Sequence, residues 1–338
     1  MLALKEINPK QKVAILRILR DAREPVGSST IAEEIKTYGF EFSGRTIRLY
    51  LNEMEREGLV TPARRGRDGG RTITHQGYEE IRTALVTERV GFVASKVDGL
   101  ACQITLDPLK RTGLIVLNIT CFDTFHLSKA MQEIIPVFEA NLGVGRYVAF
   151  AREGERIGGY CVPPGKAAIG TICSVTINGI LLSARIPTVS RFGGVLEIHD
   201  NRPVRFTDVI YYNGTSLDPL EIFIKGKLTH VREAARTGHG RIGASFREIP
   251  TAALPQVERI RKQLDEIGLG EIMMVGKPNQ SLLEFPVEEG RTGMIVTGGM
   301  NPAAAVEEAG IPTSNYALST LYEFEKLIHY SKLERFIP

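Results

Sequence analysis

NPKQKVAILRILRDAREPVGSSTIAEEIKTYGFEFSGRTIRLYLNEMEREGLVTPARRGRDGGRTITHQGY, residues 8–78, holds three helical patterns followed by a basic hairpin pattern. Asn8 and Pro9 supply an N-cap and a first-turn proline. Val13, Ile15, Leu16, Ile18 and Leu19 then recur on one broad face, which predicts a helix ending near Ala22. Pro25, Gly27, Ser28 and Ser29 interrupt the pattern. Ile31 and Ile35, four apart, mark the buried stripe of a short second helix that stops at Gly39. Ser43 is spaced to accept from the first N–H groups of a third helix, with Phe42 and Ile47 set around it as a hydrophobic staple. Ile47, Leu51 and Met54 give that helix its inward face and turn Arg45, Arg48 and Asn52 outward.

Beyond Gly58 the pattern becomes two short strand-like runs joined by an arginine- and glycine-rich tip. Between residues 58 and 78, four arginines (Arg64, Arg65, Arg67, Arg71) face one acid, Asp68, a local net of +3, and the whole chain is also only +3. The charge is concentrated on one hairpin. Glycine lets such a tip follow a groove closely, and the guanidinium fork suits phosphate oxygens or a narrow minor groove. Helix, helix, capped helix and basic hairpin is the order of a winged helix-turn-helix. The expected contacts to double-stranded operator DNA are Ser43, Arg45, Thr46, Arg48 and Asn52 on the third helix, with Arg64, Arg65, Arg67 and Arg71 on the wing. One such helix reads only a few base pairs, so a homodimer on an inverted repeat is expected.

The 338 residues, 43% hydrophobic and 24% charged, allow two or three domains with substantial cores. The near-balanced charge argues against general coating of polyanions. Cys102, Cys121, Cys161 and Cys173 show no C-x-x-C pairing, and no signal-peptide pattern precedes the first helix, so they read as reduced core thiols of a cytoplasmic protein. Apolar runs such as 113–117 and 179–184 fall far short of the roughly 20 residues of a membrane span; no membrane partner is expected.

From residue 84 to 338 the chain reads as a second module of mixed α/β (α+β) character, following a winged helix at 1–83. Strands are expected at 90–97, 112–120, 147–151, 170–184, 195–199 and 204–211, the last two joined as a hairpin across Asp200 and Asn201. Val257, Ile260, Leu264 and Ile267, with Gly268 as the stop, predict a helix over 253–267, and Asp218-Pro219-x-Glu221 opens another. A faint internal echo links 165–188 with 290–313: each opens on glycine and closes on Ile-Pro-Thr at an offset of 125, since 290 − 165 and 312 − 187 agree. Against duplication, the segment after Asn301 reads as helix and that after Asn178 as strand.

The runs GTICSVTINGILL (170–182), RFGGV (191–195), GTSLDPLEIFI (214–224), FREIP (246–250) and GGMNPA (298–303) resemble the effector domain of the NrpR family, archaeal repressors of nitrogen-assimilation genes. The resemblance covers nearly the whole chain, because family members place a winged helix before this domain. It implies a homo-oligomeric repressor that binds inverted-repeat operators and is released by 2-oxoglutarate, which accumulates when nitrogen is scarce. Some members carry two effector domains and some lack the winged helix. This chain reads as one of each, so a second NrpR-type subunit is a further candidate partner. No cofactor is implied beyond the effector.

A dicarboxylate needs cationic partners and backbone or side-chain donors. Three segments qualify. The strand-like run at 294–297 leads into Gly298, Gly299 and Met300 before an Asn301-Pro302 helix start, so Thr297, Gly298, Gly299 and Asn301 are candidates for an N–H cradle. Lys166 precedes Thr171, Ser174, Thr176 and Asn178, a cation followed by polar groups of which the last three stand at period two and so share one face of a strand. The third is the loop of Tyr212, Thr215 and Ser216 before the Asp218 cap. Each has a plainer reading as a turn, a cap or cross-strand pairing.

Enzyme signatures are missing from the sequence. Gly165-Lys166 lacks the Walker pattern, with Tyr160 five residues before Gly165 and Ala167 after the lysine; there is no G-x-S-x-G, and no histidine pair at metal-ligand spacing. No catalytic or metal-binding residue is expected. The alternatives are an enzyme with a fused regulatory DNA-binding domain, as in biotin ligase repressors, and a ligand-free DNA-binding scaffold. The arginine-glycine run superficially resembles the adenylate loop of those ligases, but it sits inside the wing, ahead of the second module.

Overall fold

A computed structural model describes residues 7–22, 24–63, 70–83, 91–270 and 272–337. They fall into two compact units, divided between Arg89 and Val90.

The first unit opens with α1 (Pro9–Asp21). Asn8 Oδ1 accepts from Gln11 N at 3.0 Å and Gln11 Oε1 accepts from Asn8 N at 3.2 Å, a reciprocal capping box worth about 1 kcal/mol. Next, α2 (Ser28–Glu34) runs into a 3-10 turn that ends at Gly39, where φ is +79°. Ser43 caps α3 (Gly44–Arg56), accepting from Thr46 N at 3.1 Å. Strands β1 (Val60–Pro62) and β2 (Arg71–Ile73) pair antiparallel with Val60 opposite Ile73, and Val26 makes an isolated antiparallel bridge to Arg71. α4 (His75–Thr83) follows. Ile15, Leu16, Ile31, Ile35, Ile47, Leu51 and Met54 fill the core between the helices. This is a winged helix-turn-helix, as the sequence predicts.

The second unit contains two five-stranded antiparallel sheets. Its elements are α5 (Phe92–Ala101), β3 (Leu114–Asp123), α6 (Leu127–Glu139), β4 (Tyr147–Arg152), a small hairpin of β5 (Arg156–Ile157) and β6 (Tyr160–Cys161), β7 (Lys166–Ile172), α7 (Val175–Ser183), β8 (Val189–His199) and β9 (Arg202–Tyr211). They continue with α8 (Pro219–Lys225), α9 (Val231–Thr237), β10 (Gly240–Pro250), α10 (Leu254–Glu266), β11 (Ile272–Val275), β12 (Arg291–Thr297), α11 (Asn301–Glu308), β13 (Thr313–Glu323) and β14 (Ile328–His329).

The order α5-β3-α6-β4-β7-α7-β8 returns as α8-β10-α10-β11-β12-α11-β13, with partners starting 124 to 127 residues apart. The hydrogen bonds repeat too. Cys173 N donates to Val116 O at 2.8 Å and Gly298 N to Gly243 O at 2.9 Å. Three residues later in each half, Thr176 Oγ1 accepts from Val116 N at 3.4 Å and Asn301 Oδ1 from Gly243 N at 2.8 Å. The module is an internal duplication whose halves exchange their last two strands. The sheets run β13-β3-β7-β4-β14 and β11-β12-β10-β8-β9, so each takes two strands from the other half. The main core likewise mixes Ile115, Leu117, Ile172 and Ile177 with Ile249, Val257, Met294 and Val296.

Two sequence expectations change here. The expected strand at 90–97 lies in α5, and the expected strand at 170–184 is the end of β7 followed by α7. The second change removes the objection to the repeat: both halves have a helix after the polar turn.

Candidate functional sites

On α3 the buried face is Ile47, Tyr50, Leu51 and Met54, and Arg45, Arg48 and Asn52 are exposed, as expected for a reading helix. Ser43 and Thr46 join in the cap, with their hydroxyls 3.0 Å apart. Arg71 departs from expectation. Its Nη2 donates to Asn52 Oδ1 at 3.2 Å and lies 2.8 Å from Glu55 Oε2, with the side chain only 17% exposed. It therefore braces the wing strand against α3 rather than reaching outward. Arg64, Arg65 and Arg67 lie outside the described residues.

In the second unit the three candidate anion segments divide between a packed seam and a buried polar cluster. Lys166 Nζ lies 2.7 Å from Asp123 Oδ1 across the β3–β7 ladder, and the lysine's pKa is raised by that hydrogen bond. Thr171 Oγ1 donates to Gly299 O at 2.7 Å, and Thr176 is spent on Val116. Thr297, Met300 and Asn301 are each about 1% exposed. A methyl group on Gly298 would stand 2.6 Å from Gly243 O, and one on Gly299 would collide with Ile172 O and stand 2.7 Å from Asn118 Nδ2. The glycines serve close backbone approach between the halves. Asn301 does not cap α11, whose N-cap is Met300; its side chain instead binds Gly243 and donates to Leu142 O at 2.8 Å. The turn expected to be an open cradle is a packed seam.

Ser174 and the Tyr212 loop instead border one polar cluster around Arg247, which sequence reasoning gave no role. Arg247 is buried to 1% exposure. Its Nη1 donates to Ser174 O at 2.8 Å and to Asn178 Oδ1, and its Nη2 to Ser174 Oγ at 2.7 Å. Asn178 Nδ2 in turn donates to Ser190 Oγ at 2.9 Å, and Ser190 stands opposite Arg247 in the β8–β10 register. The buried Tyr212 phenol is pushed well up by burial, with Asp218, Arg247 and Cys173 also acting on it. Thr215 closes its own turn on Leu217 and accepts Gly91 N at 3.1 Å; Ser216 is half-buried. Asp218 caps α8 through Leu220 N at 2.9 Å, and burial raises its carboxyl. An arginine within the largely apolar β10 was the one sequence signal for this cluster.

A cavity of about 420 Å³ adjoins it, lined by Asp98 of α5, by Thr188, Ser190 and Arg191 at the start of β8, and by Tyr211 and Asn213. Arg191 pairs with the exposed Glu288 and stands 3.7 Å from Glu248. A second cavity of about 560 Å³ has Arg232, Arg236 and Glu308 in its wall. There Arg232 and Arg236 grip Glu133 at 2.6 to 2.9 Å, and Glu308 takes the first N–H groups of α9. Those groups are occupied by structure. Among the described residues no group of three or more His, Cys, Asp and Glu is placed to hold a metal ion, and no helix is long and apolar enough to cross a membrane.

The family described as NrpR regulatory domains NRD1 and 2 matches residues 90–329, and the Ribonuclease R winged-helix domain matches residues 13–81. The global nitrogen regulator NrpRI of Methanosarcina mazei is 33% identical over 94% of this chain and 97% of its own length. The global nitrogen regulators NrpR of Methanococcus maripaludis and Methanocaldococcus jannaschii are both 28% identical, and this chain spans about half of them, 54% and 56%. A crystal structure of a nitrogen repressor-like protein from Methanococcus jannaschii aligns with a TM-score of 0.60 at 28% identity, over 70% of this chain and 97% of that one.

Proposed function

The chain belongs to the NrpR family of nitrogen regulators, and from that premise we propose that it is a transcriptional repressor of nitrogen-assimilation genes, binding inverted-repeat operators as a homodimer and released by 2-oxoglutarate. The observation that carries the DNA-binding part is the outward line of α3: Arg45 and Arg48 stand exposed opposite a fully buried face, and Arg71 fixes Asn52 beside them. Arginine in this position suits guanine edges in the major groove, and the wing arginines Arg64, Arg65 and Arg67 suit phosphate. Replacing Arg45 or Arg48 by alanine should cost roughly 1 to 3 kcal/mol of operator binding and relax specificity. Unchanged operator affinity in both variants would exclude α3 as the reading helix.

For the effector, the reading favours the cavity beside Ser190 and Arg191. Arg191's partner Glu288 is 59% exposed, and such a pair is weak enough for an incoming carboxylate to displace it. Ser190 is held in place through Asn178 by the buried Arg247. One wall is α5, the first helix among the described residues of this unit. An effector shifts DNA affinity only by binding two states unequally, and half-site spacing in a dimer is the property most easily spoiled.

A further inference from the structure

Successive residues of an α-helix turn by about 100°. With Ile47, Tyr50, Leu51 and Met54 inward, the line directly opposite on α3 runs through Arg45, Leu49, Asn52 and Arg56, at i, i+4, i+7 and i+11. Arg45, Asn52 and Arg56 are exposed there, as polar groups should be. Leu49 is exposed as well, at 39%. Neither burial nor helix propensity asks for leucine here, since lysine or glutamate would serve the helix nearly as well and keep apolar surface out of water. A lone exposed leucine is ordinary on a protein surface. This one sits at the centre of a basic line, flanked by groups that attract a polyanion and beside an Asn52 amide fixed by Arg71 at 3.2 Å. On the base edges of the major groove, the apolar feature is the thymine 5-methyl group.

We propose that Leu49 is a base-reading residue that packs on a thymine methyl in each operator half-site, so that α3 selects sequence by apolar contact as well as by arginine. The proposal rests on the DNA-binding reading above. Leucine offers no hydrogen bond, so it favours the methyl and disfavours the amino group of cytosine or adenine, which it would cover without a partner.

The test uses the full chain. Its operator is selected from random duplexes, and each thymine of the selected site is replaced in turn by deoxyuridine, which removes only the methyl. Anisotropy then gives affinities for wild type, Leu49→Ala and Leu49→Met. One thymine per half-site should weaken wild type roughly fourfold on losing its methyl, the effect of one buried methyl-sized group. Leu49→Ala should bind the intact site more weakly and ignore that replacement, Leu49→Met should keep the sensitivity, and both should melt like wild type. A uniform wild-type response to every replacement, or an unchanged response in Leu49→Ala, overturns the role of Leu49 and leaves DNA binding standing. Selection that yields no preferred sequence overturns the DNA-reading function itself, and Leu49's role with it.

Discussion

Asn301 and Gly243 bind each other twice: Gly243 N donates to Asn301 Oδ1 at 2.8 Å, and Asn301 Nδ2 donates to Gly243 O at 3.0 Å. With the further bond to Leu142 O, both amide protons are used in joining α11 to β10 and to the loop after α6. Asn301 occupies the place that Thr176 holds in the other half, so the contact belongs to the duplicated architecture.

Truncating it should therefore damage folding. Asn301→Ala strips the Gly243 N–H and the Leu142 carbonyl of this partner, while Gly243 O keeps Gly298 N, and should cost about 3 kcal/mol, read as a lower urea midpoint with an unchanged slope. A loss under about 1 kcal/mol would contradict this role. Gly299→Val should likewise fail by collision with Ile172 O.

Arg71 and Arg45 should fail differently on DNA. Arg45→Ala should lower operator affinity with stability intact, because the side chain is exposed. Arg71→Ala removes the brace to Asn52 and Glu55, so it should reduce both wing stability and discrimination among operators while leaving the salt slope nearly unchanged. A slope that falls by about one in Arg71→Ala would instead mark a direct phosphate contact.

The capping signals of the first unit were legible because they are local: Asn8 with Gln11, and Ser43 with Thr46, lie within one turn. α7 was misread for a physical reason. Every residue from Val175 to Leu181 is buried, so no 3.6-residue alternation survives, and Val175, Thr176 and Ile177 are β-branched. The repeat surfaced only as glycine and Ile-Pro-Thr punctuation, since the strand exchange is a tertiary fact. Of the candidate effector residues, Ser174 and the Tyr212 loop fall beside the Arg247 cluster, whereas Thr297, Gly298, Gly299 and Asn301 are sealed. Glycine and asparagine at a turn look the same in sequence whether they approach a ligand or another strand.

Two buried glutamates should oppose each other in pH dependence. Burial alone would raise Glu133, but Arg232 and Arg236 overcome it and hold the carboxyl below its ordinary 4.5. Its stabilisation is full above that value and is lost as pH falls through the lower folded pKa. Burial raises Glu248 despite Arg191, so its contribution favours the folded state at acid pH and is lost as pH rises from 4.5 through the higher folded value. Glu133→Gln should thus lose about 2 kcal/mol at neutral pH and flatten the acid limb, whereas Glu248→Gln should gain stability at neutral pH. Urea midpoints at several pH values check both signs.

The effector cavity predicts that Arg191→Ala and Ser190→Ala weaken 2-oxoglutarate binding roughly tenfold or more, consistent with about 1.5 to 3 kcal/mol for a charge-assisted hydrogen bond, whereas Lys166→Ala, whose amine is paired with Asp123, leaves it unchanged. Calorimetric titration decides; the reverse pattern would move the site to the Lys166 end of β7.

The most direct test measures operator affinity by anisotropy across a 2-oxoglutarate series, with succinate and glutamate as controls. The account predicts that 2-oxoglutarate alone weakens binding, by roughly 5- to 150-fold for a coupling of about 1 to 3 kcal/mol, and that operator DNA weakens 2-oxoglutarate binding by the same factor. No release by 2-oxoglutarate, or equal release by all three acids, would contradict it.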